Sequence, residues 1–381
     1  MLTVKRALIA AAFFITIFYI VTRSHGPEVP PPAPIRQETF PKADDIPDSS
    51  RHSSSSTGTP HTSAEKSVTN GGPGGGGVTG QKTMQDLSKM STYDKLAYQF
   101  PYDVETKFPA YIWQTWKYGP SSGKFQFREE EASWTEHHPG FIHEVITDDV
   151  AENLIKLFYA SVPEVIEAYS AMPLPVLKAD FFRYLILLAR GGVYSDIDTS
   201  ALKSAVEWVP ESVPRETVGL VIGIEADPDR PDWHDWYSRR IQFCQWTIQS
   251  KPGHPVLRDI VARVAAETLK RKRAGLLVAM DTKNVIEFTG PAVWTDTIFE
   301  YFNDPRYFDM SNSKGAIDYR NFTGMEVAKK VGDVIVLPIT SFSPGVQQMG
   351  AKEPDDPMAF VHHDFEGTWK PESERHIGPE T

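Results

Sequence analysis

The chain has 381 residues, of which 40% are hydrophobic and 12% aromatic, and its formal net charge is -11 at pH 7. This length and composition suffice for one large globular domain with a sizeable core. The acidic balance argues against a nucleic-acid-binding surface, which needs clustered Lys and Arg. The single cysteine, Cys244, excludes an intrachain disulfide and is predicted to be a small buried apolar residue, while a disulfide between two chains stays open.

The N-terminus is typical of a membrane anchor. Lys5 and Arg6 precede an uncharged, mostly apolar run at residues 7–22, which is slightly short of the roughly 20 residues that span a typical bilayer but suits a thinner membrane near the ER. No small-x-small cleavage site follows the run, so we expect an uncleaved signal anchor rather than a cleaved signal peptide. By the positive-inside rule, residues 1–6 are then cytosolic and the body of the protein is lumenal.

Residues 23–90 are rich in Pro, Ser, Thr and Gly and contain little apolar material. Such a segment cannot offset its ordering entropy by burial, so we expect a disordered, flexible stem. The expected role of the stem is a spacer between the membrane and a folded domain at residues 91–381, and a binding function of the stem is the alternative.

Residues 91–381 alternate predicted strands with predicted helices, which indicates the α/β class with a mostly parallel central sheet covered by helices. The predicted strands lie at residues 111–115, 141–146, 193–197, 219–224 and 333–337. The predicted helices lie at residues 125–134, 151–160, 163–170, 176–189, 256–271 and 292–302.

The segment at residues 176–198 carries most of the chemical information. A glycine at 191 or 192 supplies the left-handed residue that ends the predicted helix, and the strand at 193–197 follows. Side chains alternate along a strand, so we expect Asp196 and Asp198 on one side, about 7 Å apart in rise. Such carboxylates repel each other unless a cation lies near them, and Mg²⁺ or Mn²⁺ leaves positions open for substrate phosphates. The pattern predicts a metal-bridged diphosphate site, with a solvated acidic turn as the alternative.

Asp180 and Arg183 stand three residues apart on one face of the predicted helix. The simpler interpretation of this pair is a helical salt bridge. The functional interpretation is a carboxylate and a guanidinium that contact sugar hydroxyls and phosphate.

The Asp-x-x-Arg helix and the following Gly-Gly-x-Tyr-x-Asp-x-Asp segment resemble glycosyltransferase family 32. The segments at 108–117, 239–246 and 362–370 extend the resemblance over residues 92–372. The resemblance implies a GT-A type nucleotide-sugar transferase and a single-pass type II protein of the Golgi membrane. It also implies retaining transfer of mannose from GDP-mannose to the N-linked high-mannose glycan core of glycoproteins, in alpha-1,6 linkage, with Mn²⁺ or another divalent cation.

Two other functions stay open at this point. One is a different family 32 hexosyltransferase, with another acceptor or another donor. The other is a non-catalytic subunit of a Golgi mannan-polymerase complex, and membership of a glycosyltransferase complex is compatible with either role.

The resemblance also implies the residues of the site. The implied catalytic residues are Asp180, Arg183 and Asp198, and the implied metal ligands are Asp196, Asp198 and His363, with His362 and Asp364 as rivals of His363. The implied donor-binding residues are Trp113, Gln114, Asp180, Arg183, Tyr184, Tyr194, Asp196, Trp369 and Lys370. Trp113 and Tyr194 equally suit packing in the core.

The candidates for the acceptor side are Glu225, Asp227, Arg240 and Gln242, which also suit structural ion pairs. No residue identifies itself as a nucleophile from the sequence. Retention requires either a covalent intermediate, for which Glu225 and Asp227 are candidates, or front-face attack with the proton passing to the leaving phosphate. The front-face route is the preferred hypothesis.

Asn321 begins the only Asn-x-Ser/Thr sequon of the chain. In a lumenal domain, this sequon predicts a glycosylated and therefore exposed asparagine.

Overall fold

The computed structural model describes residues 87–370, apart from 229, 236, 278–280, 310, 312–314 and 347–348. The predicted anchor at 7–22 and the predicted stem as far as residue 86 lie outside the described residues. Among the described helices, none has both the length and the apolar character that crossing a membrane requires.

The described strands form one large sheet and one small sheet. The large sheet has the order β2-β1-β3-β7-β5-β9-β8, with β6 paired to β5, and the small sheet consists of β4 and β10. The strands are β1 (Tyr111–Thr115), β2 (Ile142–Ile146), β3 (Gly192–Ser195), β4 (Thr199–Ala201), β5 (Leu220–Ala226), β6 (Gln242–Phe243), β7 (Thr247–Ser250), β8 (Lys329–Val331), β9 (Val334–Leu337) and β10 (Val361–His363). Five strands of the large sheet, β1, β2, β3, β5 and β9, run in one direction. The prediction of a mostly parallel central sheet is therefore confirmed.

The helices pack on this sheet. They are α1 (Thr92–Gln99), α2 (Arg128–His137), α3 (Asp148–Phe158), α4 (Pro163–Ala171), α5 (Pro175–Arg190), α6 (Pro255–Arg273), α7 (Thr282–Phe288), α8 (Pro291–Phe302) and α9 (Ile339–Phe342). Four of them, α4, α5, α6 and α8, begin with a proline in the first turn. Proline suits this position because the first backbone N–H groups of a helix have no partner within the helix.

Alternate residues of the central strands belong to two separate cores. In β3 and β5, Tyr194 and Ile222 join the core that contains α5 and α6. Their neighbours Val193 and Val221 join a second core, which contains α9 and Val361 of β10. The large sheet is therefore covered on both faces, as the alternation of strand side chains requires.

The glycine pair after α5 reverses the chain directly into β3. Gly191 has a φ of 64°, a conformation that residues with a side chain rarely adopt. A Cβ atom at this position would lie 2.7 Å from the carbonyl oxygen of Ser250. The predicted glycine stop is therefore present, and β7 approaches too closely for any larger residue.

The predicted strand at 193–197 is wrong in its last two residues, because β3 ends at Ser195. The carbonyl of Asp196 accepts hydrogen bonds from Thr199 Oγ1 at 2.6 Å and from Gln114 Nε2 at 3.1 Å. Two side chains therefore donate to the Asp196 carbonyl, which in a longer β3 would accept a hydrogen bond from a neighbouring strand. The two motif aspartates consequently lie in the turn between β3 and β4, and strand alternation does not explain their proximity.

The other predicted helices and strands are present, with ends that differ by at most three residues. The elements that the sequence did not predict are mostly short: α1, α7, α9, β4, β6, β7, β8 and β10. Elements of this kind depend on tertiary pairing more than on a local pattern.

A partly buried carboxylate, Asp333, directly precedes β9 and links several elements. Tyr301 donates a hydrogen bond to its Oδ1 at 2.8 Å, and Tyr102 donates one to its Oδ2. His254 Nε2 lies 3.3 Å from Oδ2, while His254 Nδ1 caps the first turn of α6 by accepting from Val256 N. Burial opposes ionisation of Asp333, but His254 and the two phenols outweigh it and lower the pKa of this carboxyl.

We expect Asp333→Asn to lower the free energy of unfolding by about 2 kcal/mol at pH 7, because charged hydrogen bonds are lost in a partly buried site. The pKa of Asp333 is lower in the folded state, so its contribution is present above the unfolded pKa near 4 and is lost as the pH falls below it. Urea unfolding at several pH values checks this, with the exposed Asp309→Asn as control. Equal stability of Asp333→Asn and the unchanged protein at pH 7 would contradict the prediction.

Candidate active site

The strands β1, β3 and β5 run in the same direction and end at the same edge of the large sheet. Ligand sites of open α/β sheets lie at this edge, outside the carboxyl ends of the strands. The C-terminal strand β10 reaches the same region because it pairs with β4, where His363 lies opposite Thr199. The site is therefore built from segments that are far apart in sequence.

Helix α5 carries Asp180 and Arg183, and both side chains are buried. Arg183 donates to Asp180 Oδ1 at 2.6 Å, so the predicted salt bridge is present. Thr289 Oγ1 donates to Asp180 Oδ2 at 2.7 Å, and Gln245 Nε2 lies 3.3 Å from Oδ1 as a further donor. Both carboxylate oxygens of Asp180 therefore have protein partners.

Arg183 also connects α5 to the acidic motif. Its second terminal nitrogen donates to Asp196 Oδ1 at 2.8 Å, and its guanidinium lies 5.0 Å from the ring centroid of Tyr194. Burial opposes the charge, but Asp196, Tyr194 and Asp180 outweigh it and raise the pKa of Arg183 well above its ordinary value. The guanidinium stays charged and fixes the position of Asp196.

The backbone of Asp196 is held from the opposite side by Gln114. The Gln114 amide nitrogen donates to the Asp196 carbonyl, and its oxygen accepts from His143 Nε2 at 2.8 Å. Burial lowers the pKa of His143 to about 4, so this imidazole is neutral at neutral pH. The predicted donor-binding residue Gln114 thus uses both ends of its amide to position the motif turn.

The C-terminal segment positions Asp198. His363 Nε2 lies 3.3 Å from Asp198 Oδ1, and the backbone N–H of Glu366 donates to Oδ2 at 3.2 Å. The backbone N–H of Asp364 donates to the Asp198 carbonyl at 3.0 Å. Burial opposes ionisation of Asp198, but His363 and the Glu366 N–H outweigh it and lower the pKa of this carboxyl.

Asp196, Asp198 and His363 each offer one ligand atom, and these atoms all lie within 4.8 Å of one another. Two carboxylates and an imidazole are a donor set suited to Mn²⁺ or a similar divalent cation. Three protein ligands leave several positions of a six-coordinate ion for water or substrate oxygens. The residues therefore fit a divalent cation, and the three predicted ligands are brought together.

Other predicted donor-binding residues lie within the protein core. Trp113 is buried and its indole N–H donates to the carbonyl of Gly191 at 2.9 Å. Tyr194 is buried with its hydroxyl 3.0 Å from Thr115 Oγ1, and Tyr184 is fully buried beneath the motif. The surroundings of Trp113 and Tyr194 match the alternative interpretation, in which both residues pack in the core.

Trp369 and Lys370 follow β10, six and seven residues after His363. Trp369 is 41% exposed, so its ring is available to a ligand. The Lys370 ammonium lies 5.5 Å from the centroid of that ring. This segment brings an aromatic face and a positive charge to the region of the acidic cluster.

The four acceptor-side candidates separate into two pairs. Asp227 accepts from Arg240 at 3.1 Å and from the backbone N–H of Gly324 at 2.7 Å, which is a structural ion pair. Glu225 instead lies beside Gln242, which pairs with Ala226. Burial raises the pKa of Glu225, although Gln242 and the charges of His363 and Lys370 act in the opposite direction. The charge of His363 acts on Glu225, which indicates that this second pair lies near the cluster of Asp196, Asp198 and His363.

Some residues that shape the site were not predicted from the sequence. Thr289 holds Asp180 through its hydroxyl, and the only local signal was the Gly-Pro turn that follows it. The backbone N–H of Glu366 carries no side-chain signal at all. Trp246 supplies the carbonyl that accepts from Asp196 N at 2.8 Å, and its ring lies tilted against that of His363 with 4.7 Å between ring centroids.

Comparison with known proteins gives consistent matches. The family described as glycosyltransferase sugar-binding region containing DXD motif matches residues 125–214. An initiation-specific alpha-1,6-mannosyltransferase of Candida albicans is 50% identical over 291 residues, which cover 72% of this chain and 76% of that protein. The protein of the same name from Schizosaccharomyces pombe is 45% identical over 282 residues, covering 72% and 67% respectively. Putative glycosyltransferase HOC1 of Saccharomyces cerevisiae is 40% identical over 296 residues, covering 76% and 73%.

We expect His363→Ala to weaken Mn²⁺ binding by about tenfold or more, because one of three ligands is lost and the partner of Asp198 with it. The neighbouring His362→Ala is the matched control, since adjacent strand residues face opposite ways and His362 pairs with Asp364 at 3.2 Å. Isothermal titration calorimetry measures both affinities. Similar losses in the two variants would count against the assignment of His363.

We expect Arg183→Lys to reduce both stability and metal affinity, although the charge is kept. A lysine ammonium is a point charge and cannot hold Asp180 and Asp196 with two separate nitrogens, as the guanidinium does. Thermal unfolding and Mn²⁺ titration of the variant check this. Unchanged Mn²⁺ affinity in a folded variant would show that Asp196 needs no support from α5.

Proposed function

This chain belongs to the glycosyltransferase family that includes the initiation-specific alpha-1,6-mannosyltransferases, and we propose that it transfers mannose from GDP-mannose to an N-linked high-mannose glycan in alpha-1,6 linkage. The names of the two most identical relatives described above support the sugar and the linkage. The observation that carries the proposal is the cluster of Asp196, Asp198 and His363 at the carboxyl edge of the sheet. A cluster of this composition suits a nucleotide-sugar diphosphate.

The metal, which we propose is Mn²⁺, would bind the diphosphate and neutralise the charge of the departing GDP. The residues of the chain keep its ligands in place: Arg183 holds the Asp196 carboxylate, and the Glu366 N–H holds that of Asp198. Lys370 supplies a point cation for the phosphates, as its position after β10 suggests. Together these groups orient the leaving group, and correct orientation contributes strongly to the rate.

We propose retention by front-face attack. The alpha-linked donor gives an alpha product, so the bond from C1 to the new oxygen forms on the side where the bond to phosphate breaks. The electron pair of the breaking bond leaves with GDP, and the hydroxyl proton passes to a phosphate oxygen. Asp227, one of the two carboxylates considered as a nucleophile, is occupied by Arg240 and Gly324, which favours this route.

The proposed location is the Golgi membrane, with residues 7–22 as a single-pass type II anchor and residues 23–90 as the stem. The basic residues before the apolar run support this orientation. Asn321 is exposed in a short turn, which is compatible with glycosylation in the lumen.

A second candidate function is transfer to another acceptor by the same donor site. The relative named putative glycosyltransferase HOC1, at 40% identity, supports it, because that name specifies no linkage or acceptor. Differences in acceptor would arise outside the metal cluster, where the motif does not constrain the residues.

The proposal predicts that the full-length protein in detergent, given GDP-mannose, Mn²⁺ and a high-mannose N-glycan, adds one mannose in alpha-1,6 linkage. We expect a chelator, or the variant Asp198→Ala, to reduce the rate at least about a hundredfold, since leaving-group stabilisation of this kind is worth a few kcal/mol. Mass spectrometry and linkage analysis identify the product. A different linkage would favour the second function, and a folded, Mn²⁺-binding protein without transfer or donor hydrolysis would favour a non-catalytic subunit.

A further inference from the structure

Two hydrogen-bond acceptors near the carboxyl end of β5 are buried and have no donor among the described residues. They are Glu225 Oε2 and Gln242 Oε1. Gln242, in β6, is 5% exposed and pairs with Ala226, the residue that follows Glu225 in β5. Folded proteins rarely leave buried acceptors unpaired, so such a pair indicates a ligand that brings its own donors.

The position of the pair relates it to the metal cluster. Strands β3 and β5 flank β7 and end at the same edge, so two strand spacings, roughly 10 Å, separate their ends. Glu225 lies at the register shift between β5 and β6, beside Gln242, which pairs with Ala226. The charges of His363 and Lys370 act on the Glu225 carboxyl, which agrees with this placement.

The chemistry of the pair selects the kind of ligand. A carboxylate oxygen and an amide oxygen side by side accept hydrogen bonds from neighbouring hydroxyls, which a sugar ring provides. Tyr237 lies in the connection between β5 and β6. Burial raises its pKa and the charge of Glu225 adds to this effect, so its ring offers an amphipathic surface near the pair. Burial raises the pKa of Glu225 to about 7, and a hydroxyl donor would compensate for the lost water.

We propose that Glu225 and Gln242 form the subsite for the terminal mannose of the acceptor glycan, with Glu225 Oε2 accepting a hydrogen bond from an acceptor hydroxyl. This inference rests on the proposed function. The donor diphosphate would bind at the cluster of Asp196, Asp198 and His363, which follows β3. A sugar bound at the end of β5 would then lie next to the donor. The subsite makes Glu225 an acceptor-binding residue and requires no covalent bond to it.

Asp227 provides a matched control, because it lies two residues from Glu225 and carries the same functional group. Its carboxylate is already bonded to Arg240 and to the backbone of Gly324. Asp227→Asn therefore weakens a structural contact, whereas Glu225→Gln replaces one of the unpaired acceptors with a donor.

The test measures binding of a high-mannose N-glycan oligosaccharide to the full-length protein in the presence of GDP and Mn²⁺. We expect Glu225→Gln to weaken glycan binding at least tenfold, and Gln242→Leu to weaken it in the same direction. Asp227→Asn is expected to bind within twofold of the unchanged protein. The subsite is overturned if Glu225→Gln binds the glycan normally, if Asp227→Asn loses as much affinity, or if the unchanged protein binds no glycan.

A second measurement separates this subsite from the donor site. GDP binding with Mn²⁺ is expected to stay within twofold in Glu225→Gln, and a parallel loss of GDP affinity would assign the residue to the donor instead. Circular dichroism confirms that each variant is folded. Glycan binding without transfer from GDP-mannose would overturn the proposed function and support the subsite. Normal transfer with an unchanged acceptor KM in Glu225→Gln would support the function and overturn the subsite.

Discussion

The buried guanidinium of Arg183 is the interaction on which the rest of the site depends. It is 3% exposed and bonds to carboxylates of two different elements, Asp180 on α5 and Asp196 in the motif turn. A cation removed from water is tolerated only when carboxylates and hydrogen bonds compensate for the lost hydration. Asp180 therefore compensates the buried charge of Arg183, in addition to any contact that it makes with a ligand. Arg183 therefore fixes the orientation of the Asp196 carboxylate before a cation binds.

The second carboxylate, Asp198, is positioned by residues near the C-terminal end of the described part of the chain. Asp198 meets His363 and the backbone of Glu366, which the pairing of β10 with β4 brings to the motif turn. Two carboxylates at close range repel each other, and each is here held by its own positive partner or N–H group. This arrangement offsets part of the repulsion in the absence of a metal. It also makes the geometry of the site depend on whether the C-terminal segment is docked.

The parts that the sequence predicted are those with a local physical cause. Helical spacing is enough to pair Asp180 with Arg183, and the missing side chain of Gly191 is enough to stop the helix. The end of β3 was not predictable, because it depends on the Gln114 amide arriving from β1. The small sheet of β4 and β10 was not predictable either, since three-residue strands leave almost no pattern. Trp113 illustrates the same limit: the sequence places it beside the site, but not its hydrogen bond to a core carbonyl.

The acceptor-side candidates show how a local irregularity divides residues that look equivalent. Glu225 and Asp227 are both acidic and two residues apart, so a regular strand would direct them to the same side. The pairing of β5 with β6 shifts register between Ile224 and Ala226. A bulge of this kind re-aims the side chains that follow it, and such bulges occur often beside active sites. Asp227 is turned toward Arg240, while Glu225 stays beside Gln242. The partners that each carboxylate meets, and not the residue type, therefore decide which one is left for a ligand.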